Sequence, residues 1–207
     1  MKEILKILGG TFRDLWSDLW TVLACNFFWL IANMLIIPGP PATLAVMYYA
    51  NRIAHGEQAD LADFWGAFRG YWGPAWRWGV VNLAMTAFLI ADIAVTAQFP
   101  DAAWKYWLQG LYVVILVVWL GMQFYALPFL FEQEQMKVRQ ALRNSIALIG
   151  RNLRFTLMLW LMLLLILAAG TFAFLLSAMF GTVFLACAGN RAVLNRLEVI
   201  RKADTPV

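Results

Sequence analysis

The side chains able to do chemistry are few in this chain, and they are scattered. There is one histidine, His55, so a histidine-based metal site or a Ser-His-Asp triad would depend on it alone. It stands in His55-Gly56-Glu57, a setting that suits a helix C-terminus, where an imidazole caps carbonyls or meets a lipid headgroup. No Walker lysine loop, G-x-G-x-x-G, H-E-x-x-H or C-x-x-C occurs. The two cysteines, Cys25 and Cys187, fall inside apolar runs and read as small core residues rather than a disulfide. The expectation is a protein with no catalytic residues, no metal site and no cofactor, hence not an enzyme.

Asp92 is the sharpest single residue. It interrupts Phe88-Leu89-Ile90-Ala91-Asp92-Ile93-Ala94, and a carboxylate within an apolar span costs up to a few kcal/mol unless paired, neutral or facing water. Two readings stay open. In one, Asp92 lines an outward cleft with Pro38, Gly39, Pro40 and Pro41, joined by Asn33 and Thr43, and binds a solute or a proton. In the other it reaches water at the nearby interface, or bonds to a neighbouring helix. Asn26, Asn82, Gln109, Gln123 and Ser177 are further polar groups in apolar runs. Such contacts are worth about 0.6 kcal/mol each between membrane helices, and together they could line a neutral cleft of the kind a sugar requires. Glu132 and Glu134 read as a solvated edge. Tyr48-Tyr49, Trp76 with Trp78 and Trp104 with Trp107 read as interfacial aromatic belts.

The elements that must position these residues are written in the composition. The chain has 207 residues, 63% hydrophobic and 14% charged, with a mean hydropathy of +0.69; a soluble domain has roughly 45–50% apolar and about 25% charged residues. Lipid is the implied solvent. Disorder, collagen and a disulfide scaffold are excluded on the same grounds. The formal net charge is +4, but the basic residues flank apolar runs singly or in small groups, which suits headgroups and not nucleic acid.

A crossing helix needs about 20 mostly apolar residues. Six candidates run from about Leu19 to Ile37, Pro41 to Ile53, Trp78 to Ala97, Trp107 to Phe131, Leu153 to Ala169 and Phe172 to Ala188. Pro38-Gly39-Pro40-Pro41 ends the first, Phe99-Pro100-Asp101 follows the third, and Pro128 is expected to kink the fourth. The short second span, about 20 Å long, would leave a dent on the outer face. Of the 16 Lys and Arg, all but Lys105 lie in the four segments 1–18, 52–77, 134–154 and 191–207. The positive-inside rule puts those segments, and so both termini, in the cytoplasm. A cleaved signal peptide is not expected, since the first apolar run begins only after Asp14 and Asp18.

Three of the basic segments carry amphipathic helices. Leu61, Phe64, Trp65, Phe68 and Trp72 form one helical stripe; Val138, Ala141, Leu142, Ser145, Ile146 and Ile149 form another; Phe12, Leu15, Trp16 and Leu19 form a third. These read as interfacial elbows with their apolar faces in the headgroup plane. The unit elbow, outward span, inward span thus occurs three times, at about 11–53, 61–131 and 138–190, within a single all-α transmembrane domain spanning 1–207 that ends in a polar tail at 191–207.

Gly39-Pro40-Pro41-Ala42-Thr43, Tyr48-Tyr49, Arg52, Gly56-Glu57 and Asp63-Phe64-Trp65 to Ala67-Phe68-Arg69 resemble the YesL-like family of bacterial integral membrane proteins, a domain of unknown function. The match covers about residues 20–72. The resemblance implies a multi-pass protein of the cytoplasmic membrane that assists carbohydrate uptake systems, which are often encoded nearby, and it carries over no catalytic residues. The expected partners are the lipid bilayer and the permease subunits of an ABC-type carbohydrate transporter, with homo-oligomerisation open and nucleic acid excluded. The residues alone leave a second possibility: a small transporter or solute-binding protein whose outward cleft includes Asp92 and takes a neutral solute.

Overall fold

The computed structural model describes residues 2–172 and 174–204, and their side chains except those of 169–180, 203 and 204. Among the described residues the fold is all-helical. The helices are α1 (Lys2–Ser17), α2 (Leu19–Met34), α3 (Gly39–Ala54), α4 (Leu61–Gly70), α5 (Trp72–Ala97), α6 (Ala103–Phe131), α7 (Val138–Arg151), α8 (Leu153–Phe172) and α9 (Phe174–Asp204).

One local device recurs. Each of α1, α4 and α7 is joined to the following helix by a single residue: Asp18 at φ −137°, ψ 56°, Tyr71 at −100°, 21°, and Asn152 at −131°, 39°. None of the three has helical dihedrals, so the backbone ladder breaks there and restarts at once. The resulting bends are 95° between α1 and α2 and 101° between α7 and α8. The start of α4 is held by a reciprocal capping box, in which Asp63 N–H donates to Asp60 Oδ1 at 2.9 Å and Asp60 N–H to Asp63 Oδ2 at 3.0 Å.

Burial repeats in register with these joints. Seven residues before each joint stand Thr11, Phe64 and Ser145, four after it Val22, Ala75 and Thr156, and seven after it Cys25, Trp78 and Leu159; all nine are buried. Nine residues after the joints, Phe27, Val80 and Leu161 all face outward. That spacing is the apolar stripe of a helix that docks on one side only.

The helices α3, α6 and α9 pack against one another at the centre. Around them α2 lies on α3 and α9, α5 on α6 and α3, and α8 on α9. Between α8 and α6, Trp160 covers Gly121 and stacks on Tyr125, whose hydroxyl is 3.3 Å from the Thr156 hydroxyl. The short helices follow the same order: α4 lies on α3, α7 on α6 and α1 on α9. Each group of three consecutive helices therefore leans its short helix on the central helix of the group before it, and the first leans on the last.

The groups differ in height. Pro40, at the start of α3, packs against Gly79, where an added Cβ would come within 2.8 Å, and Tyr48 meets Tyr71 at 5.6 Å between ring centroids. The two helices are thus antiparallel, and α3 starts level with Gly79. Beyond it α5 continues for about 27 Å, returning as the first half of α6, so the two form a projecting hairpin with exposed apolar side chains on most sides. The hairpin is tied by Trp78 Nε1 donating to Gln123 Oε1 at 3.0 Å and Trp119 Nε1 donating to Asn82 Oδ1 at 3.1 Å.

By length and composition α5 and α6 can each cross a membrane, and the count rises to four if each bent pair, α1 with α2 and α7 with α8, forms one span. The helices α2 and α3 have 16 residues each, about 24 Å, short of a hydrocarbon core of about 30 Å. Among the described residues, six crossings are not reached on this criterion. Two further expectations change. The polar segment expected from 191 is helical through 204, as the continuation of α9, with Ala192, Val193 and Arg196 buried against the rest of the fold. The first elbow starts at Lys2, since Ile4, Ile7 and Leu8 extend the buried stripe upstream.

Candidate functional site

The expected cleft is not assembled. Gly39, Pro40 and Pro41 are the first residues of α3 and are buried, while Pro38 is half-buried. Asp92 stands on the order of 20 Å beyond Gly79, the point where α5 touches Pro40. The structure therefore separates the carboxylate from the proline turn. Asp92 is half-buried near the tip of the projecting hairpin, its backbone carbonyl accepting Thr96 Oγ1 at 2.6 Å. Asn33 and Thr43 serve the turn itself. Asn33 Nδ2 donates to Trp29 O at 2.8 Å, Thr43 Oγ1 to Gly39 O at 3.0 Å, and Trp29 Nε1 to Thr43 Oγ1 at 3.0 Å. The turn closes through Ile36, the one non-glycine residue with positive φ among the described residues, at 63°.

Three of the other polar groups in apolar runs are used inside the bundle. Asn26 accepts the Thr182 N–H at 3.2 Å, Asn82 and Gln123 accept the tryptophans named above, and Gln109 is half-buried in the hairpin. The Ser177 side chain lies outside the described residues.

The polar groups that do converge lie where α3 and α6 end beside α9 and the elbows. Asn51 of α3 donates from Nδ2 to Glu132 Oε1 at 2.8 Å, just past α6, and to Asn190 Oδ1 of α9 at 3.0 Å. Asn190 in turn donates to Ala186 O at 2.9 Å. His55 caps α3: its Nδ1 is 2.9 Å from Asn51 O and its Nε2 is 3.5 Å from Glu132 Oε1. One amide thus joins all three central helices. Around this junction Arg52 binds both Glu57 and Asp63, Arg191 binds Asp14, and Arg196 binds Glu3 while lying 3.9 Å over the Phe155 ring. These ion pairs fasten the elbows α4 and α1 to α3 and α9.

Several single-residue expectations are corrected here. Glu132 is no solvated edge but a half-buried member of the junction, whereas Glu134 is exposed. Tyr49 is buried, with its hydroxyl 3.5 Å from Asp18 Oδ2, and Trp78 is buried against Gln123, so neither belongs to an interfacial belt. Trp104 and Trp107 are exposed. On the elbows, Phe64 is buried and Trp65, Phe68 and Leu142 are half-buried, but Phe12, Trp16 and Ile146 face outward at 53, 80 and 60% exposure. The bundle takes one flank of each apolar stripe and leaves the other free. Asn51 and Asn190 were not marked by the sequence; both sit at the ends of apolar runs beside arginines, where an amide looks like ordinary interfacial polarity.

The junction can accept and donate hydrogen bonds and hold charge at the mouth of a closed bundle. Among the described residues no group of three or more His, Cys, Asp or Glu is placed to hold a metal ion. Cys25 and Cys187 are free thiols in the core. No family model matches this chain, and neither a curated protein nor a solved structure shows detectable similarity to it.

Proposed function

We propose that this chain is a non-enzymatic, multi-pass protein of a bacterial cytoplasmic membrane, built from three elbow-and-hairpin units that cross six times, with the elbows and both ends in the cytoplasm. In this reading it is an accessory subunit of a membrane complex, an ABC-type carbohydrate uptake system, and engages the permease through its outward-projecting α5–α6 hairpin.

The observation that carries the reading is the distribution of polar and apolar surface. Among the described residues, Asn51, Gln123 and Asn190 of the central helices are engaged in hydrogen bonds within the fold, whereas the α5–α6 hairpin presents apolar side chains far beyond its own core. A surface of that kind works by contact with lipid or with other apolar helices. The six-crossing topology draws support from the α2–α3 turn, where Met34, Leu35, Ile36 and Ile37 are all more than 60% exposed. An apolar turn suits a tip held at lipid level, with the bilayer thinned to meet a short hairpin. The lone basic residue beyond the elbow end, Lys105, is only 8% exposed and is neutralised by Phe99 O and Asp101 Oδ1, each at 2.9 Å.

The test is purification in native lipid. Stoichiometric permease subunits should accompany the wild-type chain and be lost from Val114→Trp/Val118→Trp, which enlarges one face of the hairpin outside the core. A chain that purifies alone, and whose melting temperature rises with a solute only while Asp92 is present, overturns the accessory role in favour of transport.

A further inference from the structure

The three elbows repeat in geometry but not in charge. Between Glu134 and Glu198 the sequence holds no acidic residue, while Lys137, Arg139, Arg143, Arg151 and Arg154 cluster on and around α7. The first two elbows mix signs: α1 carries Glu3 and Asp14 beside its basic residues, and α4 carries Asp63 beside Arg69. Thirteen and nine residues before its joint, α7 places Arg139 and Arg143; the same positions before the other joints are Leu5 and Gly9, Gln58 and Ala62. A scaffold that only needed three elbows would not require this asymmetry.

Arg139 and Arg143 stand one helical turn apart, are exposed, and form no ion pair among the described residues. They edge a groove of about 400 Å³ between α7 and α5, whose walls are otherwise Val81, Val138, Leu142 and Ile146. That volume falls in the range of about 300–1,000 Å³ usual for ligand sites. Arg77 lies one turn before Val81 on the same helix and is also exposed. The groove therefore has a hydrocarbon wall with two arginines along its edge and a third, Arg77, nearby at the elbow level. Guanidinium forks match phosphate oxygens, and basic pockets beside membrane helices favour anionic headgroups.

We infer that the α5–α7 groove is a binding site for an anionic phospholipid, its phosphate held by Arg139 and Arg143 and an acyl chain lying along Val81, Leu142 and Ile146. The inference rests on the membrane reading above and adds a chemical preference that reading does not require. The lipid would seat the third elbow on the leaflet and fix α7 against α5 through a headgroup instead of a side-chain contact.

The test uses the full chain in nanodiscs of phosphatidylcholine containing one-fifth phosphatidylglycerol, with bound lipids counted by native mass spectrometry. Wild type should retain phosphatidylglycerol well above its share of the bilayer. Arg139→Gln/Arg143→Gln should weaken that retention by roughly fivefold per arginine, the equivalent of about 1 kcal/mol for each basic residue near a headgroup. Arg13→Gln/Arg151→Gln, with the same change in net charge, should keep it. Equal retention by the first double variant, or equal loss in the second, overturns the site, the latter showing only diffuse attraction. Carbonate extraction separates the two levels: a chain washed off membranes removes the membrane reading and the site together, while one that resists extraction and shows no lipid preference removes the site alone.

Discussion

Adding an isopropyl group at Gly189 should loosen the whole bundle, while adding a methyl group at Gly66 should tighten it. Gly189 lies where α9 crosses α6; an added Cβ would stand 2.9 Å from the Phe124 carbonyl oxygen, 3.4 Å from its ring and 3.5 Å from Pro128. The nearest atom is backbone, and Pro128 stiffens that stretch of α6, so the helices must separate to admit the new atoms. Overpacking of this kind costs about 1–3 kcal/mol. Replacing a helical glycine by alanine returns up to about 1 kcal/mol, and valine returns less. Gly189→Ala should therefore be near neutral to about 2 kcal/mol destabilising, and Gly189→Val clearly destabilising by about 1–3 kcal/mol. Gly66, in the middle of α4, has nothing within 4 Å of its Cβ position. Gly66→Ala should stabilise by up to about 1 kcal/mol. The assay is reversible unfolding of the purified chain in mixed micelles against increasing SDS, followed by circular dichroism. A Gly189→Val protein as stable as wild type would refute the close contact of the central helices.

Asn51→Leu should cost about 1–3 kcal/mol in the same assay, because it strands the half-buried Glu132 carboxylate and the Asn190 carbonyl; Glu134→Gln, at an exposed position, should change nothing. The Asp101 carboxyl, bonded to Lys105 and Tyr106, is held below the ordinary carboxylate range. A group with a lowered pKa stabilises the fold above its unfolded value and loses that contribution as pH falls through its folded value. A carboxyl NMR titration should therefore find Asp101 titrating low, and returning toward ordinary behaviour in Lys105→Gln. Truncation after Asn190 removes Arg191 and Arg196, the partners of Asp14 and Glu3, so trypsin should then cut α1 at Lys6 and Arg13, which are resistant in the intact chain.

Much of the architecture could be read from residue patterns, for physical reasons that can be named. The stripes on α4 and α7 are strict helical periods bounded by Asp60 and Asn152, and both helices are found within two residues of expectation. The bounds of α5 and α9 slipped because Trp72 and Trp78 continue one helix through the polar Arg77, and because Ala192 and Val193 carry the apolar stripe of α9 past Arg191. Hydropathy weighs these arginines as ends of spans; it has no means of seeing that Arg191 and Arg196 find carboxylates on α1. The candidate site was less legible. Asp92 stands out because a carboxylate in an apolar run is rare, but where it faces depends on how far α3 reaches, and that is set by the Pro40–Gly79 contact between helices distant in sequence. Asn51, Glu132 and Asn190 are ordinary letters at the ends of apolar runs until three helices bring them together. The groove edged by Arg139 and Arg143 was visible in part, as an acid-free basic segment, while its second wall on α5 required the fold.

The most direct measurement of the three-unit membrane bundle is accessibility of single cysteines to an impermeant maleimide in intact cells, at Lys2→Cys, Gln58→Cys, Asp101→Cys and Lys202→Cys. The native Cys25 and Cys187 are buried and should stay silent. The account predicts labelling of Asp101→Cys from outside, with the other three reacting only once the membrane is opened. External labelling at Gln58→Cys, or opposite outcomes for Lys2→Cys and Lys202→Cys, would contradict it.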